Sequence, residues 1–306
     1  MATAYITHPD CLLHEMGTFH PESPERLRAI DDRLIAAGLM DHLRHYDAPL
    51  ARDAQITRVH TPGYLQSLRD LAPHHGHVVL DPDTSMNPHS LSAALHAAGA
   101  LILATDLVMA GTVENAFCAV RPPGHHAEPA RAMGFCLLNN IAIGVAHALA
   151  QHGLQRIAII DFDVHHGNGT EVMFRHEPRV LLCSSFQHPF YPHTPLESRA
   201  NLIEVPLRAG SNGAAFRAGY EEQVFPAVEK FAPQMIFVSA GFDGHIEDEM
   251  ASLALSDDDY TWVTQGIVEL AQRHAKGRIV STLEGGYALN ALGRAAARHI
   301  KALMGI

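Results

Sequence analysis

The sequence predicts a single α/β domain over residues 1–306, with a central, mostly parallel β-sheet, helices on both of its faces and a site at the carboxyl ends of the strands. Three observations carry this. Short apolar runs alternate with longer stretches of helical period. No repeat, low-complexity tract or Gly/Ser-rich linker interrupts the 306 residues. Hydrophobic residues make up 47% and charged ones 18%, enough for a substantial core in one large fold.

Taken in order, Ala116–Val120, Ile157–Ile160, Val180–Cys183, Met235–Val238 and Ile279–Thr282 read as strands buried on both faces. Residues 23–37, 90–110, 139–152, 213–231, 256–275 and 288–303 repeat apolar positions at three and four and read as helices. Start signals agree: Asn87-Pro88, Asn139, Ser211-Asn212, and Ser256 followed by Asp257, Asp258 and Asp259, where carboxylates suit the helix dipole. Strands joined by helices imply a parallel sheet, whose ligand crevice lies beyond the strands' carboxyl ends.

Composition excludes several function classes. A formal charge of -11 gives no electrostatic reason to bind nucleic acid or an anionic membrane. The most apolar long segment, 91–111, is broken by His96, Thr105 and Asp106 and reads as a buried helix. Cys11, Cys118, Cys136 and Cys183 form no CxxC pair, so neither a disulfide framework nor a thiolate metal site is indicated. Reduced thiols and an opening MATAYITHPD without the pattern of an export signal point to a cytoplasmic setting.

The chemistry sits directly after the predicted strands. Arg121-Pro-Pro-Gly-His125-His126 follows the first run, and Asp161-Phe-Asp163-Val-His165-His166-Gly-Asn168 follows the second. Ala240-Gly-Phe-Asp243 and Glu284-Gly-Gly-Tyr287 follow the fourth and fifth. Asp163, His165 and Asp243 are donors that suit zinc, and three protein ligands leave a position open for catalysis. Asp163 and His165 are two apart, so an extended segment points both to one side. Zinc there would acidify a water and polarise a carbonyl, as amide hydrolysis requires. His125 and His126 can divide the acid and base roles, with Asp161 or Asn168 setting which ring is charged. Two glycines bring the Tyr287 phenol close enough to stabilise an oxyanion.

These four motifs, in this order over nearly the whole chain, resemble the histone deacetylase superfamily, particularly its class II-like bacterial amidohydrolases, which include histone deacetylase-like and acetylpolyamine amidohydrolases. His20-Pro-Glu-Ser-Pro-Glu-Arg26 and Gly134-Phe135-Cys136 add to the resemblance. It implies the arginase/deacetylase type of fold and one zinc held by Asp163, His165 and Asp243. It further implies His126 as general base, His125 as its charged neighbour, Tyr287 on the oxyanion, and Asp161 and Asn168 orienting His125 and His126. Phe135, beside Gly134, would form with Tyr191 a slot around the acylated chain, and Arg26 would line the path by which acetate leaves. Potassium would bind through Asp161, the carbonyls near Asp163 and His165, and the Ser184 hydroxyl. Related bacterial members often self-associate, so a homo-oligomer is compatible with the resemblance.

The sequence departs from the family at three places. Asn168 stands where class I members carry aspartate, and Phe190–Glu197 replaces the usual Gly-Thr-Gly. Met250 falls where polyamine-selective relatives place a glutamate. The favoured substrate is therefore acetyl-lysine in a protein or peptide, with acetylpolyamines or other small N-acyl amines as the alternative. Two rivals differ further. A binuclear manganese hydrolase would need more carboxylates than an Asp243 followed by glycine and histidine supplies. An idle acetyl-lysine binding module has no chemical need of Tyr287. Plainer readings stand beside these: Phe135, Tyr191 and Met250 as packing residues, Arg26 paired with Glu22 or Glu25, and His74, His75 and His77 as surface loop.

Overall fold

The structure is a computed structural model and describes residues 2–306. Among the described residues ten strands occur: β1 (Thr3–Thr7), β2 (Arg44–Asp47), β3 (Val78–Asp81), β4 (Thr84–Met86), β5 (Asn115–Cys118), β6 (Ile157–Asp161), β7 (Val180–Gln187), β8 (Leu202–Leu207), β9 (Met235–Ala240) and β10 (Ile279–Leu283). The α-helices are α1 (Glu25–Ala36), α2 (Asp53–Ile56), α3 (Pro62–Leu71), α4 (Ser90–Met109), α5 (Asn140–Gln151), α6 (Asn168–Phe174), α7 (Gly213–Gly219), α8 (Phe225–Phe231), α9 (Asp257–His274) and α10 (Leu289–Met304). Eight strands form one sheet in the order β2-β1-β5-β10-β9-β6-β7-β8, and every pairing is parallel. The β3–β4 hairpin stands apart.

All five predicted strands are present. The first spans Asn115–Cys118, because its neighbour β1 pairs with it only as far as Ile6↔Cys118. Five strands were not expected from the sequence. β1 (TAYIT) is internal to the sheet but flanks its short apolar stretch with threonines, β2 (RHYD) is a polar edge strand, β8 (LIEVPL) carries Pro206 on the opposite edge, where a missing N–H is tolerated, and β3 and β4 make a small ribbon. The predicted helix 213–231 is divided into α7 and α8 by a π turn over Tyr220–Val224. Pro226 explains the break, since it removes one N–H and its ring crowds the carbonyl one turn earlier.

α4 packs on α5 over one face of the sheet, and α1, α10 and α9 pack together over the other. α4 is long and apolar enough to cross a membrane by length and composition, yet 67% of that window is buried inside the fold. Its Gly99 admits the 48–51 loop, because a Cβ there would collide with the Pro49 carbonyl. Three of the four expected caps are seen: Asn139 accepts from Ala142 N, Asn212 from Ala214 N and Ala215 N, and Ser256 forms a reciprocal box with Asp259, whereas α4 starts later, after His89, with Asn87 Oδ1 accepting from His89 N at 3.1 Å.

Candidate active site

Strands β5, β10, β9 and β6 are consecutive neighbours in the sheet. The four motif loops therefore leave adjacent carboxyl ends and meet in one place. The sheet, not chain proximity, assembles the site.

Asp163, His165 and Asp243 come together with ligand atoms all within 4.8 Å of one another, and all three are buried. Backbone amides hold the carboxylates: Gly285 N donates to Asp163 Oδ2 at 2.7 Å and Val164 N to Asp243 Oδ1 at 3.0 Å. Gly285 is required here, because a Cβ would strike both carboxylates. His165 Nδ1 lies 3.1 Å from Asp163 Oδ1 and 3.2 Å from Asp243 Oδ2. Asp243 Oδ2 nevertheless has no hydrogen-bond partner among the described residues. A buried, unmatched carboxylate oxygen beside a second carboxylate and an imidazole fits a divalent metal better than an all-protein network. Burial alone would lower the His165 pKa, but Asp163 and Asp243 outweigh it and push it up to about 9. Burial and the adjacent Asp163 push Asp243 up to about 6. The metal-free triad thus holds protons that an incoming cation has to displace. Metal affinity is expected to rise up to about tenfold per pH unit as pH climbs toward 9, which competition with a chelator across pH would measure.

The two histidines differ sharply. His125 Nδ1 donates to Asp161 Oδ2 at 2.9 Å, and its Nε2 lies 3.8 Å from Asp163 Oδ1. Burial opposes charge on His125, but Asp161, Asp163 and Glu284 outweigh it and hold the ring well above its ordinary pKa. His126 Nδ1 stands 2.8 Å from Asn168 Oδ1. Asn168 Nδ2 donates to Glu128 Oε1 at 2.9 Å and faces Met133 Sδ at 3.4 Å, so its oxygen is turned to accept from His126. His126 Nε2 therefore keeps a free lone pair. Burial, with His125 and His165 nearby, holds His126 well below its ordinary value. A charged and a neutral imidazole side by side can act as acid and base.

These groups open into a cavity of about 290 Å³ whose lining includes His125, His126, Gly134, Phe135, His165, Tyr191, Met250 and Tyr287. Gly134 and Phe135 both adopt positive φ, 56° and 67°. The β3–β4 hairpin holds this strained turn: Gly134 N donates to Asp83 Oδ1 at 3.0 Å and Phe135 N to Thr84 Oγ1 at 2.9 Å. Arg26 does not line this cavity. It is buried beneath Tyr287, its guanidinium 4.9 Å from the ring centroid, and it donates to the carbonyls of Gly286 and Glu284. Of the partners weighed for it, Glu22 is the one observed, at 3.1 Å. The parallel register sets Ser184 opposite Asp161, and its hydroxyl lies 3.0 Å from His166 Nδ1. His74 and His75 take no part in the site, and His77 lies 4.0 Å from Glu15.

Three supporting residues were given no role in the sequence reading, and a fourth, Glu22, was weighed only as a partner of Arg26. Glu284 Oε2 accepts from Gly124 N at 2.7 Å and His125 N at 3.1 Å, tying the two-histidine loop to the tyrosine loop. Asp248 accepts from Tyr287 N at 2.6 Å, Ala288 N at 2.9 Å and Met250 N at 3.0 Å, fixing the cavity rim to the tyrosine. Glu22, fully buried, pairs with Arg26 and, through both carboxylate oxygens, with the Nε and Nη2 edge of Arg121, whose Nη1 donates to the Cys11 and His14 carbonyls. Glu284 and Arg121 open motifs already noted, and a charged residue directly after a buried strand was the available signal. Nothing local marked Asp248, and Glu22 was visible only through its spacing of four from Arg26.

A parallel sheet that gathers a triad able to hold a metal ion, two differently polarised imidazoles and a phenol at its carboxyl edge has the makings of a hydrolase. A family model described as the histone deacetylase domain matches residues 20–303, and the chain belongs to that family. It is 38% identical to a histone deacetylase-like amidohydrolase of Pseudomonas aeruginosa, covering 88% of this chain and 72% of the relative. It is 37% identical to a probable deacetylase of Archaeoglobus fulgidus, covering 94% and 82%. The crystal structure of the HDA15 HD domain superposes with a TM-score of 0.94 at 32% identity, covering 99% of this chain and 88% of that one.

Proposed function

We propose that the protein is a zinc-dependent deacetylase that hydrolyses the amide of N-acetylated lysine-like amines, acetyl-lysine in proteins or peptides foremost, to free amine and acetate. The observation that carries this is the Asp163, His165 and Asp243 triad, with its unmatched Asp243 Oδ2, whose His165 lines a cavity shared with Phe135 and Tyr191. When bound there, zinc supplies Lewis acidity toward a carbonyl and lowers the pKa of water. The remaining steps belong to the chain. Phe135 and Tyr191 hold the aliphatic stem, His126 Nε2 takes the proton of the attacking water, and the protonated imidazole pair returns one to the leaving nitrogen. The Tyr287 hydroxyl donates to the carbonyl oxygen as charge builds on it. Asp161 and Asn168 keep the two rings in their different states. Met250 at the rim is apolar and offers no carboxylate to a second amine, which favours lysine-like substrates over polyamines.

The test is kcat/KM of the zinc-loaded protein on an acetyl-lysine peptide, N-acetylputrescine and acetylspermidine, with a chelator control. Preference for the peptide with chelator-sensitive turnover is expected. Preference for the small amines would make the protein a polyamine amidohydrolase, and zinc binding without any turnover would make it a binding module. Asp163→Ala is expected to reduce bound zinc from one per chain to near zero by metal analysis. Full occupancy in that variant would remove Asp163 from the ligand set.

A further inference from the structure

We infer that His8, Asp10 and His96 form a second site for a borderline divalent cation, zinc foremost, at the carboxyl end of β1. Their ligand atoms lie within 4.8 Å of one another, and none of the three belongs to the triad or lines its cavity. His8 follows β1 directly, and Asp10 lies in the short 3₁₀ turn Pro9–Leu12. His96 is buried on α4, one turn beyond Ser92, whose hydroxyl donates to Asp10 Oδ2. Two imidazoles and a carboxylate are a donor set that such an ion takes, with the remaining positions left to water.

The hydrogen bonds show which nitrogens are bare. His96 Nδ1 donates to the Ala48 carbonyl at 2.7 Å, so in the neutral ring Nε2 carries the lone pair. A backbone carbonyl behind the ring is the usual support of a metal-binding histidine. That bare Nε2 lies 3.7 Å from Asp10 Oδ2. His8 Nδ1 accepts from Asp10 N at 3.2 Å, so it too carries no proton, and it lies 3.5 Å from Asp10 Oδ1. Burial and the neighbouring His96 lower the His8 pKa, which keeps the ring neutral, and the Ser92 hydroxyl holds Asp10 below the ordinary carboxylate value. Two bare nitrogens therefore face an ionised carboxylate with no proton between them. Their separations are longer than an ordinary hydrogen bond but match the edge of about 3.4 Å between two ligands that share one zinc.

Two other histidine and carboxylate clusters are closed by protons instead. His147 and His152 both donate through Nε2 to Asp106 Oδ1, at 2.8 and 2.7 Å, because Arg58 donates to His147 Nδ1. His166 bonds Ser184 through Nδ1 and Glu171 through Nε2. Neither offers a bare nitrogen. Binding at His8 and His96 gives up two contacts: the Asp10 N–H on His8, and the parallel stack of the two rings, 3.4 Å apart at 8°, because each lone pair lies in the plane of its ring. These losses leave the ion looser here than in the buried triad. It is expected at equilibrium with free zinc and is lost on desalting.

The test is equilibrium dialysis of the metal-stripped full chain against micromolar zinc, read as zinc per chain. Two ions are expected in wild type and one in either His8→Ala or His96→Ala. His8 is half-buried, so its variant decides the matter should His96→Ala fail to fold. Asp163→Ala is expected to keep one ion, and the double variant with His96→Ala none. Loss of one ion in the histidine variants upholds the inference, and uptake unchanged by His8→Ala overturns it. If Asp163→Ala retains as much zinc as wild type, the triad assignment falls, while the His8→Ala comparison still decides this site.

Discussion

Tyr287→Phe is expected to lower kcat by about 10²–10³ while leaving one zinc per chain, the loss seen when a single oxyanion donor is removed. The phenol takes no part in the triad, so metal content is the control that separates lost chemistry from lost structure. Its placement is over-determined. Asp248 holds the Tyr287 and Ala288 amides, Phe135 meets the ring edge-on at 5.9 Å, and Arg26 sits under it. Phenylalanine preserves these ring contacts and removes only the O–H. Near-normal kcat in a zinc-loaded variant would remove Tyr287 from the mechanism.

The second large effect is on stability. Glu22→Gln is expected to cost about 3–5 kcal/mol, because it strands two buried guanidinium groups without their counter-charge. Glu22, Arg26 and Arg121 are all 0% exposed, so water cannot compensate. Burial works against the Glu22 carboxylate, yet Arg121 and His14 outweigh it and hold its pKa well below the ordinary value. The sign follows: this stabilisation is present above the unfolded carboxylate pKa and is lost as pH falls through the folded one. Denaturant unfolding of wild type and variant at neutral pH measures the difference. A change under about 1 kcal/mol would mean the cluster is solvated or otherwise balanced.

What the sequence made legible follows from where the chemistry sits. Asp163 and His165 share one loop, bent so that Asp163 Oδ1 accepts from His165 N at 2.8 Å where an extended segment was expected, and Asp243 and Tyr287 follow recognisable apolar runs, so strand-end reasoning finds them without knowing the strand order. Most internal strands, buried on both faces, announce themselves in the same way, though β1, with a threonine at each end, does not. The edge strands are hidden as well: β2 is polar and exposed, and β8 interrupts its apolar residues with Glu204 and Pro206. The supporting shell was hidden for a different reason. Glu22 meets Arg121 across 99 positions, and Asp248 reaches Tyr287 across 39. Such partners are chosen by the sheet order and leave no local pattern. Asn168 is an intermediate case: its presence in the glycine-rich loop was visible, but the Glu128 and Met133 contacts that set its amide orientation were not.

The triad has a consequence for the lifetime of whatever ion it holds. Asp163 and His165 follow β6, Asp243 follows β9, and these strands pair directly in the middle of the sheet, Asp161 beside Ser239. A cation gripped from both is a clasp across the central seam. Opening the seam exposes the most deeply buried strands, so escape by that route would demand most of the cost of unfolding. Exchange through the sheet is thereby closed off, and the cavity on the His165 side becomes the one short path by which an ion or a chelator reaches the clasp.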